Sequence, residues 1–176
     1  DGTPVRKHNT QLLVSIASGA HLPSIFMEVQ YAYETGITEF IIKTPLPSND
    51  QHQIQLKQTI DGIRDLGDDI TITLALDCNP APVWLAENPD EVSTTESNSG
   101  SLPSIGSAEW RANIGVRIQQ LLILVDYYVN KNIVVGVILQ GLESGRWNQI
   151  GTPDESSAQQ LAFRNWIMNH YGNIDA

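Results

Sequence analysis

Four apolar runs punctuate the chain: LLVSIA (12–17), EFIIKT (39–44), ITITLAL (70–76) and NIVVGVIL (132–139). They have strand length and are rich in valine, isoleucine and threonine, side chains that suit a pleated, packed surface. Most are near-continuous rather than alternating, as strands covered on both faces are. Between them the apolar period changes to that of a helix. LPSIFMEVQYAYETG (22–36) sets Ile25, Val29 and Ala32 on one face, and Gly36 suits a C-terminal cap. HQIQLKQTIDGIRDLG (52–67) does the same with Ile54, Ile60, Ile63 and Leu66 before Gly67. The longest segment, 107–131, carries a stripe of Trp110, Ile114, Ile118, Leu121, Leu122 and Val125, with Ser107 as N-cap. In the last, 154–172, the spacing puts Phe163, Trp166 and Ile167 on a face expected to be buried, with Arg164 and Asn165 more exposed.

The order is β-α-β-α-β, a long loop, then α-β, a loop and α. Strict alternation predicts a parallel α/β sheet, with strand order 1-2-3-4 following from sequential adjacency and right-handed crossovers. A length of 176 residues suggests one domain, 1–176. Four βα units fit half of a (β/α)8, or TIM, barrel, which typically needs ~250 residues. A half-barrel leaves two strand edges unpaired. The expectation is therefore that the remainder of the barrel comes from beyond Ala176 or from another chain. The loop 78–106 is unusually long, and its polar tract STTESNSGS (93–101) reads as a flexible loop, mobile or folded over the strand ends as a lid.

Charge changes the picture by exclusion. The net charge of -10 argues against nucleic acid and anionic membrane surfaces as partners, whereas a neutral ligand such as a sugar is indifferent to it. No apolar run approaches the ~20 residues that span a bilayer, so no membrane insertion is expected. The one cysteine, Cys78, cannot form an internal disulfide or a cysteine metal cluster. His8, His21, His52 and His170 lack metal-ligand spacing. Neither a metal nor a cofactor is expected.

Parallel α/β folds bind ligands at the carboxyl ends of their strands. Asp77, Cys78, Asn79 and then Trp84 follow the third run; Gln140, Glu143, Arg146 and Trp147 follow the fourth. A carboxylic acid can protonate a glycosidic oxygen, aromatic rings stack on apolar sugar faces, and amides and arginines bond hydroxyls. Each of these residues also has a plain structural role open to it: a loop carboxylate for Glu143, a cap for Asp77, packing for the tryptophans and a surface ion pair for Arg146.

Several segments then resemble a known family. PAPVWLAENPDEV (80–92), SIGSAEWRANIGVRIQQLLILV (104–125), NIVVGVILQGLESG (132–145) and LAFRNWIMNHYGNIDA (161–176) are similar, in order, to segments of the family-42, β-galactosidase-like glycoside hydrolases. The likeness covers roughly residues 70 to 176; the earlier part matches in pattern only. It implies a (β/α)8 barrel and a retaining two-glutamate mechanism, with Glu143 as the acid/base and the nucleophile on a later strand beyond Ala176. Gln140, Trp147, Trp84, Asp77 and Arg146 would lie near the carbohydrate. The chain departs from the family pattern in three ways. Leu142 stands where the family has an asparagine before the acid, and the spacing from Gly136 is one residue longer. The zinc-binding cysteine cluster of many members is absent. An alternative alignment of SGRW puts Arg146 at the acid, which leaves a non-catalytic carbohydrate-binding or structural barrel as the rival reading.

Overall fold

The computed structural model describes residues 11–15, 22–47, 49–94, 101–142 and 154–172. The elements are β1 (Gln11–Ser15), α1 (Leu22–Glu34), β2 (Glu39–Pro45), α2 (Asp50–Arg64), β3 (Thr71–Asp77), α3 (Pro82–Glu87), a 3-10 turn (Pro89–Glu91), α4 (Ala108–Asn130), β4 (Val134–Gln140) and α5 (Ser157–Tyr171). One sheet holds the strands in the order β1-β2-β3-β4. β1 and β2 pair in parallel, Gln11 opposite Glu39. The start of β3 bonds the start of β2 (Thr71 N to Thr38 O, 2.9 Å), and β3 follows β4 in the same sense from Ile72–Ile133 to Cys78–Gln140.

The barrel-type expectation is corrected here. The described residues form a small α/β domain with an open sheet that ends at β1 on one side and β4 on the other. The βα rhythm specifies parallel strands with helical crossovers; it carries no information on whether the sheet closes. The chain also divides into two compact units, Asp1–Leu76 with Gln120–Leu139, and Asp77–Gln119 with Gln140–Ala176.

The first unit has an apolar core. Ile25, Val29 and Ala32 of α1 are buried on the face their spacing marks, and Gly36 takes the left-handed conformation (φ 93°) that closes the helix. Phe40 and Ile42 of β2, Ile72 and Leu74 of β3, and Ile60 and Ile63 of α2 fill the interior. In α2 the stripe is Leu56, Thr59, Ile60 and Ile63, and Ile54 is exposed. Six residues before Ile60 lies about a third of a turn round the helix from it, on the side away from Leu56, Thr59 and Ile63, so Ile54 falls off the buried face. Asn49 caps this helix, its side chain accepting from His52 N at 2.9 Å. Tyr128 is buried and donates its hydroxyl to Asp61 Oδ1 at 2.7 Å, which ties α4 to α2.

Along α4 the buried positions are Trp110, Ile114, Leu121, Val125 and Tyr128, a 3.6-residue stripe that leaves Leu122 exposed. Ser107 does cap it: Trp110 N donates to Ser107 Oγ at 2.9 Å. The last helix corrects the sequence expectation more strongly. Phe163 is 58% exposed and Trp166 47%, with Ala158 the buried apolar residue of α5. Spacing identifies a common face, but nothing within the described residues covers this one.

In the second unit, the long loop is not structureless. Val92 and Pro103 form an antiparallel bridge, flanked by Ser93 N to Leu102 O (2.9 Å) and Ser104 N to Glu91 O (2.7 Å). The two sides of the polar tract are thus pinched together at its base. Residues 95–100, on which the flexible-lid expectation falls, lie outside the described residues.

Asp154 anchors this region. Its Oδ1 accepts from the N–H groups of Thr94 and Ser156, both at 3.1 Å, and its Oδ2 accepts from Ser104 Oγ at 2.7 Å. Burial pushes the carboxyl up, but the bonds from Ser104, Ser156 and Thr94 outweigh it and hold the group below the usual carboxylate range. A lowered folded value means that stabilisation is complete above the unfolded pKa and is lost as pH falls through the folded one. The gap in thermal midpoint between the wild type and Asp154→Asn is expected to stay constant near neutrality. It should shrink once pH drops below about 4; a gap that widens on acidification would contradict this.

β4 is the exposed edge. Val135, Val137, Ile138 and Leu139 are all more than a third exposed, and no residue from Val134 to Gln140 is ionisable. Among the described residues no strand pairs with its outer side.

Candidate functional site

The carboxyl ends of β3 and β4 meet in the second unit. Between the Ile72–Ile133 and Cys78–Gln140 hydrogen bonds, both 2.7 Å, β3 advances six residues and β4 seven. β4 therefore takes up one extra residue, as a bulge does, and a bulge re-aims the side chains that follow it. The exposure pattern breaks in the same place, Val137, Ile138 and Leu139 being exposed in succession.

Gln140 follows this irregularity. Its carboxamide oxygen is shut off from solvent and has no hydrogen-bond partner among the described residues. An unmet buried acceptor costs about 1–3 kcal/mol. Asp77, at the end of β3, bonds its own loop: Oδ1 accepts from Asn79 N at 2.9 Å, an Asx-type turn. This is the capping role that its position also allowed. Trp84 lies in the short helix α3 and is half-buried; its carbonyl accepts from Asn88. Glu143, Arg146 and Trp147 lie outside the described residues. The structure thus brings Asp77 and Gln140 to neighbouring strand ends, and α3 carries Trp84 five residues after Asn79.

Two residues matter here beyond the expected set. Asn79 clamps the chain after β4 at two points, its Nδ2 donating to Leu142 O (3.1 Å) and its Oδ1 accepting from Leu142 N (2.8 Å). Leu142 is held in the left-handed region at φ 56°, with its side chain buried. That conformation is costly for a residue with a Cβ, and the clamp offsets the cost. Trp110 is the other. It is 2% exposed, and its indole N–H donates to Cys78 O at 3.1 Å, which fixes the turn out of β3. The sequence signal for Asn79 was an asparagine directly after a strand, which suits many loops. For Trp110 it was a place on a helix stripe, which tells nothing of the indole nitrogen.

Cys78 is buried, and burial first, then the charge of Asp77, pushes its thiol up to about 11; Arg117 and a main-chain bond at Gln140 oppose the rise. The thiol is protonated at neutral pH and is no nucleophile. Among the described residues no group of three or more His, Cys, Asp or Glu side chains could hold a metal ion, and no helix is long and apolar enough to cross a membrane. No known protein family, curated protein or solved structure matches the chain.

Proposed function

We propose that the chain handles carbohydrate at the carboxyl ends of β3 and β4, as a glycoside hydrolase of β-galactosidase-like type. Glu143 is the general acid/base, and Gln140, Asp77, Trp84, Arg146 and Trp147 serve the sugar. The observation that carries the reading is the unpartnered carboxamide oxygen of Gln140 at a strand end. A sugar hydroxyl is the kind of donor it lacks, and a neutral ligand meets no penalty from the chain's net charge of -10. The likeness to family-42 enzymes over residues 70–176 supports it. The extra residue in β4 falls beside the stretch where the chain is one residue longer than that family's pattern.

In such chemistry one carboxylic acid protonates the leaving oxygen while a second carboxylate attacks the anomeric carbon. The resemblance implies that a second carboxylate plays that part. The chain's own contribution is then to hold the sugar and to deliver and retrieve the proton at Glu143.

A second reading, a carbohydrate-binding protein without catalysis, is favoured by Leu142. The resembled enzymes have an asparagine there that bonds the sugar, whereas Leu142 turns an apolar side chain into the interior.

The test of the common ground is Gln140→Leu, titrated with lactose. The variant removes an orphaned acceptor, so its stability should equal or exceed that of the wild type by about 1 kcal/mol. Lactose affinity should fall roughly tenfold, the equivalent of 1.4 kcal/mol. Undiminished lactose binding followed at the Asn79 amide beside Gln140, or a wild type in which no saccharide shifts that amide, would remove Gln140 and this reading together.

A further inference from the structure

We infer that α5 and the turn before α4 form a second, accessory binding site for the ring of a neutral saccharide. It shares no residue with the strand-end site and does not rest on the reading proposed for that site. A cleft of about 500 Å3 opens between Ile105–Gly106 and α5, and its walls include Arg111, Gln159, Phe163 and Trp166.

Its chemistry comes in three parts. The first is an apolar wall. Phe163 and Trp166 stand nearly parallel, 14° between planes and 6.3 Å between centroids, and both remain about half exposed. The second is a donor. Arg111 spends Nη1 on Ile105 O at 2.9 Å, leaving further N–H groups on an exposed guanidinium. The third is an acceptor in want of a donor. The carboxamide oxygen of Gln159 is buried with no hydrogen-bond partner among the described residues. It lies against Gly106, where a Cβ would fall 2.7 Å from that oxygen and 2.5 Å from Gln159 Cα. The terminal torsion of glutamine is soft, so a donor arriving in the cleft can draw the amide round.

A ligand that meets all three has an apolar face and a rim of groups that both donate and accept. A pyranose ring has that combination. A purely apolar side chain would cover Trp166 and leave Gln159 and Arg111 unmet; an anion would meet Arg111 but has no hydrogen to give the orphaned Gln159 oxygen. The close approach of Gly106 to α5 holds the two sides of the cleft together, so the site is built on packed main chain rather than on a free surface.

The experiment is a titration of the 15N-labelled protein with lactose, cellotetraose and maltotetraose, followed at the Trp166 indole and Gly106 amide signals. At least one saccharide is expected to shift both. Trp166→Ala and Gln159→Leu should each weaken the effect at Gly106 at least tenfold, with circular dichroism unchanged because Trp166 is 47% exposed and α5 keeps its Ser156 cap. Gln140→Leu should leave these shifts intact, which separates this site from the strand-end site. Three results would each overturn the inference: no shift with any of the saccharides, shifts that survive both α5 variants, or shifts with N-acetyl-leucinamide alone.

Discussion

Replacing Glu143 by glutamine is expected to cut hydrolysis of a glycoside with a poor leaving group by about 10²–10⁴-fold, the usual share of general acid catalysis. Glutamine keeps the shape of the side chain and removes the proton. An activated aryl glycoside needs little help at its leaving oxygen, so its first chemical step should lose much less. The split between the two substrates identifies the acid; a uniform loss would point to a fault in folding or binding. Turnover of lactose that is unchanged in Glu143→Gln would take Glu143 out of the mechanism. A wild type that binds saccharides and hydrolyses none would establish the binding-only reading, in which Leu142 and Arg146 mark the loss of the acid's surroundings.

The largest expected effect on folding is at Trp110. Trp110→Ala should cost about 3–5 kcal/mol, the range for deleting a large buried aromatic side chain. Its ring is 2% exposed and its indole bonds Cys78 O, so truncation opens a cavity and removes that hydrogen bond. Trp110→Phe refills most of the space without the N–H, and should recover the larger part of the loss. The comparison apportions packing against hydrogen bonding. Denaturant unfolding would measure it, and a loss below 1 kcal/mol for the alanine variant would show that the indole is not what holds the turn after β3.

Local order was the readable part of this chain. The α1 face, Ile25, Val29 and Ala32, and the cap at Ser107 follow from spacing and side-chain chemistry within a few residues of sequence, and both are met. Strand positions fall within about two residues of the apolar runs, since β-branched runs bounded by polar residues have few other places to go. What failed was long-range. Whether a parallel sheet closes depends on curvature and on partners for its outer strands, and the runs themselves are silent on that; among the described residues the sheet is open. Phe163 and Trp166 share a face as their spacing requires, but a shared face becomes a buried one only when something packs on it, and these two remain half exposed. The site divides in the same way. The positions of Asp77 and Gln140 at strand ends were legible, whereas the Asn79 clamp on Leu142 joins residues 63 apart in sequence, beyond any local pattern.

The outer strand has a consequence for the protein in a tube. Seven consecutive uncharged residues, Val134–Gln140, make up the outer strand, and Val135, Val137, Ile138 and Leu139 are each more than a third exposed; among the described residues no further strand pairs with it. Lysine, proline or a covering helix normally guards such an edge. What keeps two molecules apart is then the diffuse repulsion of chains that each carry a net charge of -10. That repulsion reaches only as far as salt allows, about 30 Å at 0.01 M and about 10 Å at 0.1 M. Encounters between molecules rise with the square of concentration, so loss to precipitation would be slow in dilute, low-salt buffer and fast in a concentrated stock at high salt or near the pI of 4.6. Storage conditions, more than the intrinsic stability of the fold, would set how long a preparation lasts.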